Sequence, residues 1–136
     1  MYAKYTFELV RGEDRSIPIT LFYRNPETGK TEPVKLTGCE FLLAVHDQTT
    51  GEELARLSTA DRSIVLGNLV DLEFTEAEGD EEATALLANF THEMTEKFVC
   101  KKAAFDLFVI SCREDGEVRQ CLMIGEIKVL KGCCYG

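Results

Sequence analysis

The feature that most constrains this chain is a pair of long β-capable segments near its C-terminus. They are Ala103-Ala104-Phe105-Asp106-Leu107-Phe108-Val109-Ile110-Ser111-Cys112-Arg113 and Glu117-Val118-Arg119-Gln120-Cys121-Leu122-Met123-Ile124-Gly125-Glu126-Ile127-Lys128-Val129. Asp115-Gly116 between them is a type I′ hairpin signal. With that dipeptide as a two-residue loop, Glu114 faces Glu117, so Val109 opposes Leu122, Ile110 opposes Cys121 and Phe108 opposes Met123. Both faces of the hairpin are then apolar, as in a central pair covered on two sides. Phe105, Leu107, Val109, Leu122 and Ile124 suit the core of a sheet. Phe108, Ile110, Cys112, Cys121 and Met123 need a helix or another chain to cover them.

Shorter segments repeat the β grammar. Tyr5-Thr6-Phe7-Glu8-Leu9-Val10 alternates and then meets the polar break Arg11-Gly12-Glu13-Asp14. In the next stretch, residues 16–23, Ile17, Ile19, Leu21 and Tyr23 share one face, and Pro18 places the strand at an edge or a start. Asn25-Pro26-Glu27-Thr28-Gly29 reads as a hairpin-type loop. Phe41, Leu43 and Val45 share a face of the following strand, Gln48-Thr49-Thr50-Gly51 turns the chain, and Glu53-Leu54-Ala55-Arg56-Leu57-Ser58 returns. Ile64-Val65-Leu66 and the alternating run from Leu69 to Thr75 flank Gly67-Asn68, which reads as another tight turn.

The period then changes. Over residues 80–98, Ala83, Leu86, Leu87, Phe90 and Met94 recur at three- and four-residue spacing, which predicts an amphipathic helix. Asp80, Glu81 and Glu82 at its start and Lys97, Lys101 and Lys102 at or beyond its end follow the sign order of the helix dipole. The expected fold class is therefore mainly β, an antiparallel β-sandwich with one amphipathic helix inserted before the C-terminal hairpin. No internal repeat or linker divides the 136 residues, so residues 1–136 are expected to form one domain.

Charge and composition narrow the function. A net charge of -9, with no basic cluster beyond Lys101-Lys102, disfavours nucleic acid and anionic membranes. The longest apolar runs, residues 41–45 and 107–110, are far short of the ~20 residues of a membrane helix. The opening residues carry no h-region of a secretory signal, which points to folding in the cytosol. There the six cysteines, Cys39, Cys100, Cys112, Cys121, Cys133 and Cys134, are expected as reduced thiols. Their spacings of 61, 12, 9, 12 and 1 contain no zinc knuckle.

Catalytic patterns are incomplete. His92-Glu93-Met94-Thr95-Glu96 has Glu96 where a zinc protease needs its second histidine. A His92/Glu96 metal pair is geometrically conceivable, but a solvated His92 fits the sequence better. The acids between Asp71 and Glu82 miss the calcium-loop pattern, because Glu76 stands where glycine is required. His46-Asp47 has no Gly-x-Ser-x-Gly elbow to supply a nucleophile. The expectation is a non-enzyme without cofactor or metal.

Taken in order, Arg11-Gly12-Glu13-Asp14-Arg15 with Ile17-Pro18-Ile19-Thr20-Leu21, Leu36-Thr37-Gly38-Cys39-Glu40-Phe41, His46-Asp47, Thr84-Ala85-Leu86-Leu87, Phe105-Asp106-Leu107 and Gly125-Glu126-Ile127-Lys128-Val129 resemble the N-terminal domain of siphophage baseplate upper proteins and its small prophage relatives. Phe105 stands in place of the usual Tyr. The resemblance implies an Ig-like sandwich that works as a phage virion (tail or baseplate) structural or assembly protein. Its implied partners are other tail subunits, often in a ring or trimer, and its implied location is the host cytoplasm during assembly and then the virion. On this reading Phe108, Ile110, Cys121 and Met123, or the helix face covering them, contribute to subunit packing. The alternative is a stand-alone small-ligand or carbohydrate-binding sandwich, which the absence of Trp and the presence of only four Tyr disfavour.

Overall fold

The computed structural model describes the backbone of residues 3–79, 81–99, 101–113 and 116–131, and the side chains of those residues except 3, 4, 112 and 113. In chain order the elements are β1 (Ala3–Val10), β2 (Arg15–Thr20), β3 (Phe22–Arg24), β4 (Thr31–Pro33), β5 (Glu40–Asp47), β6 (Glu53–Ser58), β7 (Ile64–Val70), β8 (Glu73–Glu76), β9 (Ala85–Phe90), α1 (His92–Glu96), β10 (Lys102–Arg113) and β11 (Gly116–Leu130). One sheet has the order β1-β11-β10-β5-β6, a second β2-β9-β7-β8, and β3-β4 form a separate ribbon. Every pairing is antiparallel except β1 with β11.

Period-two burial explains why the two sheets meet. Phe7 and Leu9 on β1, Phe41, Leu43 and Val45 on β5, and Phe105 and Leu107 on β10 face Ile17 and Ile19 on β2 and Leu86, Ala88 and Phe90 on β9 in one hydrophobic cluster. Aromatic rings link the layers. Phe7 lies 5.2 Å from Phe105 in its own sheet and 6.0 Å from Phe90 in the other, measured between ring centroids. Beyond α1, Phe98 meets Phe90 edge-on at 6.3 Å and closes one end of the core. Leu36, 2% exposed, is fixed by a backbone bond to the Ala83 carbonyl, and the Thr37 hydroxyl accepts from the Ala83 N–H.

The β5–β6 hairpin forms where the sequence predicts it, and the loop expected at residues 25–29 joins β3 to β4, a short strand inside the span read as irregular. The helix does not. Residues 85–90 form β9, and only His92–Glu96 is helical; Asp80 lies outside the described residues. Leu86, Ala88 and Phe90 satisfy a period of two as well as Leu86, Leu87 and Phe90 satisfy the helical one. The open ladders of β2 and β7 on either side decide between them, since tertiary pairing overrides the helix preference of Ala and Leu. Lys101 and Lys102 accordingly sit before and in β10 rather than at a helix end.

Gly67-Asn68 is not a turn. β7 runs through it, and Gly67 is needed because β8 comes close: a Cβ there would stand 2.1 Å from the Thr75 carbonyl oxygen and 2.7 Å from the Phe74 ring. The chain reverses instead at Asp71 and Leu72, whose φ values are 52° and 69°. The strand expected over residues 16–23 breaks at Leu21, which turns into the core while β3 leaves to pair with β4.

The C-terminal hairpin forms in a different register. Arg113 pairs with Gly116, Phe108 with Cys121 and Leu107 with Met123, with a bulge at Leu122. Asp115 of the expected turn lies outside the described residues, as do Cys100, Cys133, Cys134 and the side chain of Cys112. Cys39 and Cys121 are free thiols.

Candidate interaction surface

The register assigns the two faces of the five-stranded sheet. Leu43, Leu107 and Met123 pair in one row across three strands and point inward, at 0%, 0% and 5% exposure. The adjacent row, Leu42, Phe108 and Cys121, therefore points away from the core. Neither these three nor Ile110 and Ile124 belong to the shared core cluster. Of the four residues expected at an interface, Phe108, Ile110 and Cys121 occupy this outer face, half-buried. Met123 does not: the bulge at Leu122 shifts the register below it, so Met123 packs inside against Leu107. The same shift turns Ile124, expected in the core, outward beside Asp106.

The outer face thus carries an apolar strip of Leu42, Phe108, Cys121 and Ile110, and in the next row Ala44 and Ile124 stand on either side of Asp106. Leu42, between Phe108 and Ser58, is only 5% exposed, so the accessible part of the strip belongs to Phe108, Ile110 and Cys121. Leu42 and Ala44 were legible as outward residues, since Phe41, Leu43 and Val45 alternate with them. At one end of the strip, His46 and Glu126 flank Ala104 and border a cleft with Asp106 and Gln48. The Gln48 side-chain amide donates to Glu126 at 3.2 Å. At the other end stand Glu40 and the Arg119–Glu117 ion pair, 2.7 Å apart. An apolar centre with polar margins is the anatomy of an interface.

The residues of the incomplete catalytic patterns have these hydrogen-bond partners. Asp47 does not orient His46; its carboxylate accepts from the Thr49 and Thr50 N–H groups and shapes the β5–β6 turn. His92 is exposed, and its ring Nδ1 lies 3.0 Å from the Asp14 carboxylate, which also accepts the His92 backbone N–H at 2.6 Å. These bonds hold Asp14 below the ordinary carboxylate range, the backbone bond contributing most. The side-chain bond to Asp14, then its charge, raises His92 above the usual imidazole value. Asp14 is 78 positions away in sequence, so no local pattern could announce it. Among the described residues no three His, Cys, Asp or Glu side chains converge as metal ligands.

α1 docks through Thr95, which is completely buried. Its hydroxyl donates to the Glu13 carbonyl and accepts from the Gly12 N–H, both at 3.0 Å, tying the helix to the charged turn after β1. Neither a family model nor a curated protein matches the sequence.

Proposed function

We propose that this chain is a non-enzymatic phage virion protein, a tail or baseplate structural or assembly subunit with an Ig-like sandwich, that docks to other subunits through the outer face of its five-stranded sheet. The observation that carries the reading is the row Leu42, Phe108 and Cys121, an apolar strip outside the shared core with polar groups at both ends. The resemblance of the LTG stretch, the Phe105-Asp106-Leu107 segment and the Gly125 segment to baseplate domains supplies the biological setting. Covering such a strip removes apolar area from water at roughly 25 cal/mol per Å², which is what holds subunits together.

A carbohydrate-binding module would stack sugars on a shared aromatic platform. Among the described residues the exposed aromatics are Tyr5 on β1 and Phe22 and Tyr23 on β3; the last two are neighbours, so they project to opposite faces of the ribbon.

Size-exclusion chromatography with light scattering tests the docking. Association of the chain with itself or with the neighbouring tail gene product, weakened at least about tenfold by Phe108→Asp, is the expected result. A strict monomer that binds neither, or binding indifferent to Phe108→Asp, overturns the proposal. So does a coding sequence set among metabolic genes rather than tail or head morphogenesis genes.

A further inference from the structure

Two surfaces at opposite ends of the molecule match each other, and neither belongs to the sheet face described above. The first is the tip of the β7–β8 hairpin. Leu72 is 96% exposed and Val70 61%. Leu72 also holds φ at 69°, in the left-handed region that a leucine rarely adopts and that asparagine or glycine ordinarily fills in a two-residue hairpin turn. A turn of this kind carries an apolar knob only against its own backbone preference. From Leu69 to Glu78 the hairpin holds Asp71, Glu73, Glu76 and Glu78 and no Lys or Arg. Glu76 is paired with Arg62, while Asp71 and Glu73 flank the knob.

The second surface is a cleft of about 250 Å³ where β1 and β11 end. Phe98, Val99, Val129 and Leu130 line its apolar part, with Val99 72% exposed, and Arg11, Lys101 and Lys131 complete it. Arg11 is anchored by a bond from its Nε to the Glu96 carbonyl. Lys97, Lys102 and Lys128 lie at the same end, as do Glu8, which pairs with Lys128, and Glu13, Glu93 and Glu96 around α1, but the charged residues that line the cleft itself are all basic.

The strand registers put the two surfaces far apart. β7 pairs with β9 at Gly67 and Ala85 and then runs on to the tip, whereas β9 runs the other way to Phe90 and leads through α1 to Phe98. Knob and cleft are therefore separated by roughly 30 Å along the strands and cannot meet within one chain.

We propose that the β7–β8 tip of one copy seats Leu72 in the cleft beside Phe98 and Val99 of the next, with Asp71 and Glu73 facing Lys101 and Lys131. Such a contact is heterologous: each copy offers one knob and one cleft, so copies add head to tail and close into a ring or extend as a filament. The occupant is a second copy because the acidic, apolar tip and the basic, apolar cleft are complementary in charge and alike in apolar character. The inference rests on reading the chain as an assembly subunit, but it uses residues distinct from the Phe108 face.

Sedimentation equilibrium on the full chain tests it, in a Phe108→Asp background so that the sheet face contributes nothing; Ile110→Asp replaces that background should it unfold. The parent chain is expected to exceed monomer mass as concentration rises, and added salt to reduce that mass. Leu72→Asp alone and the Val99→Asp/Lys101→Glu double variant alone are expected to be monomers. Mixed, they form one heterodimer that grows no further, since one supplies the only intact cleft and the other the only intact knob. A parent that stays monomeric to its solubility limit, a Leu72→Asp chain that assembles like the parent, or a mixture that stays monomeric overturns the inference. Association lost with Phe108→Asp but kept with Leu72→Asp would sink the head-to-tail contact and leave the sheet-face proposal standing. The reverse pattern would sink only the latter.

Discussion

The ring of Phe105 lies directly over the α-carbon of Gly125, the residue with which it pairs across the β10–β11 ladder. A Cβ at Gly125 would come within 2.5 Å of that ring and 2.0 Å of the Tyr5 carbonyl oxygen on β1. The glycine thus lets an aromatic ring and a parallel strand approach the same point, as aromatic cover of a strand glycine does elsewhere. It also explains physically why the Phe105-Asp106-Leu107 and Gly125-Glu126-Ile127 segments belong together: they are the two sides of one contact. Gly125→Ala is expected to destabilise the fold by about 3 kcal/mol, because backbone rather than a flexible side chain must move. Gly51→Ala, at φ 78° in open space, is expected to cost only about 1 kcal/mol. Urea denaturation of the two variants side by side checks the difference.

Thr95 offers a second probe. Its buried hydroxyl satisfies the Gly12 N–H and the Glu13 carbonyl together, so Thr95→Val keeps the shape and leaves both backbone groups without that partner. A loss of about 2 kcal/mol is expected. Thr95→Ser, which keeps the hydroxyl, is expected to recover most of it in the same denaturation assay.

The Asp14–His92 pair sets a pH dependence. Asp14 is lowered, so its contribution is complete above the ordinary aspartate value of about pH 4 and fades as pH falls through the lowered one. His92 is raised, so its contribution is complete below about pH 6.5 and fades as pH rises through the raised value. The pair therefore supports the α1 end most between about pH 4 and pH 6.5. Both groups are exposed and screened, so the effect on overall stability is small. An NMR titration is expected to place the His92 midpoint above the ordinary imidazole value, and Asp14→Ala to bring it down. An unchanged midpoint in Asp14→Ala would show that the ring does not feel the carboxylate.

Much of this architecture was legible because strand burial writes itself into the sequence at a period of two. Phe41, Leu43 and Val45 announce β5, and Asn25-Pro26-Glu27-Thr28-Gly29 announces the β3–β4 loop. What was not legible depended on partners distant in sequence. Ala85 to Phe90 fits either a helix or a strand until the ladders of β2 and β7 are known. Gly67 looks like a turn residue until Thr75 and Phe74 are seen to press against it. Met123 looked like a surface residue because a single bulge at Leu122 cannot be read from alternation, yet it moves every side chain beyond it to the other face. The outer strip itself survived that error, because Leu42, Phe108 and Cys121 lie in one row on its near side.

At Leu72 the demands of the turn and those of the proposed contact meet, and a single substitution separates them. At φ 69° its Cβ crowds the backbone at a cost of roughly 1–2 kcal/mol, and at 96% exposure its side chain recovers nothing from its own molecule. Leu72→Gly removes that crowding. Glycine gives back part of the gain through the greater freedom of the unfolded chain, so a net stabilisation of about 0.5–1 kcal/mol is expected. The same change deletes the knob. If the tip serves only to reverse the chain, Leu72→Gly raises the melting temperature and leaves the sedimentation behaviour untouched. If it docks a second copy, melting of dilute protein rises while association at high concentration is lost, the opposed pair of effects expected where a strained residue is kept for binding. Scanning calorimetry of dilute protein and sedimentation of concentrated protein, made on one preparation, distinguish the two.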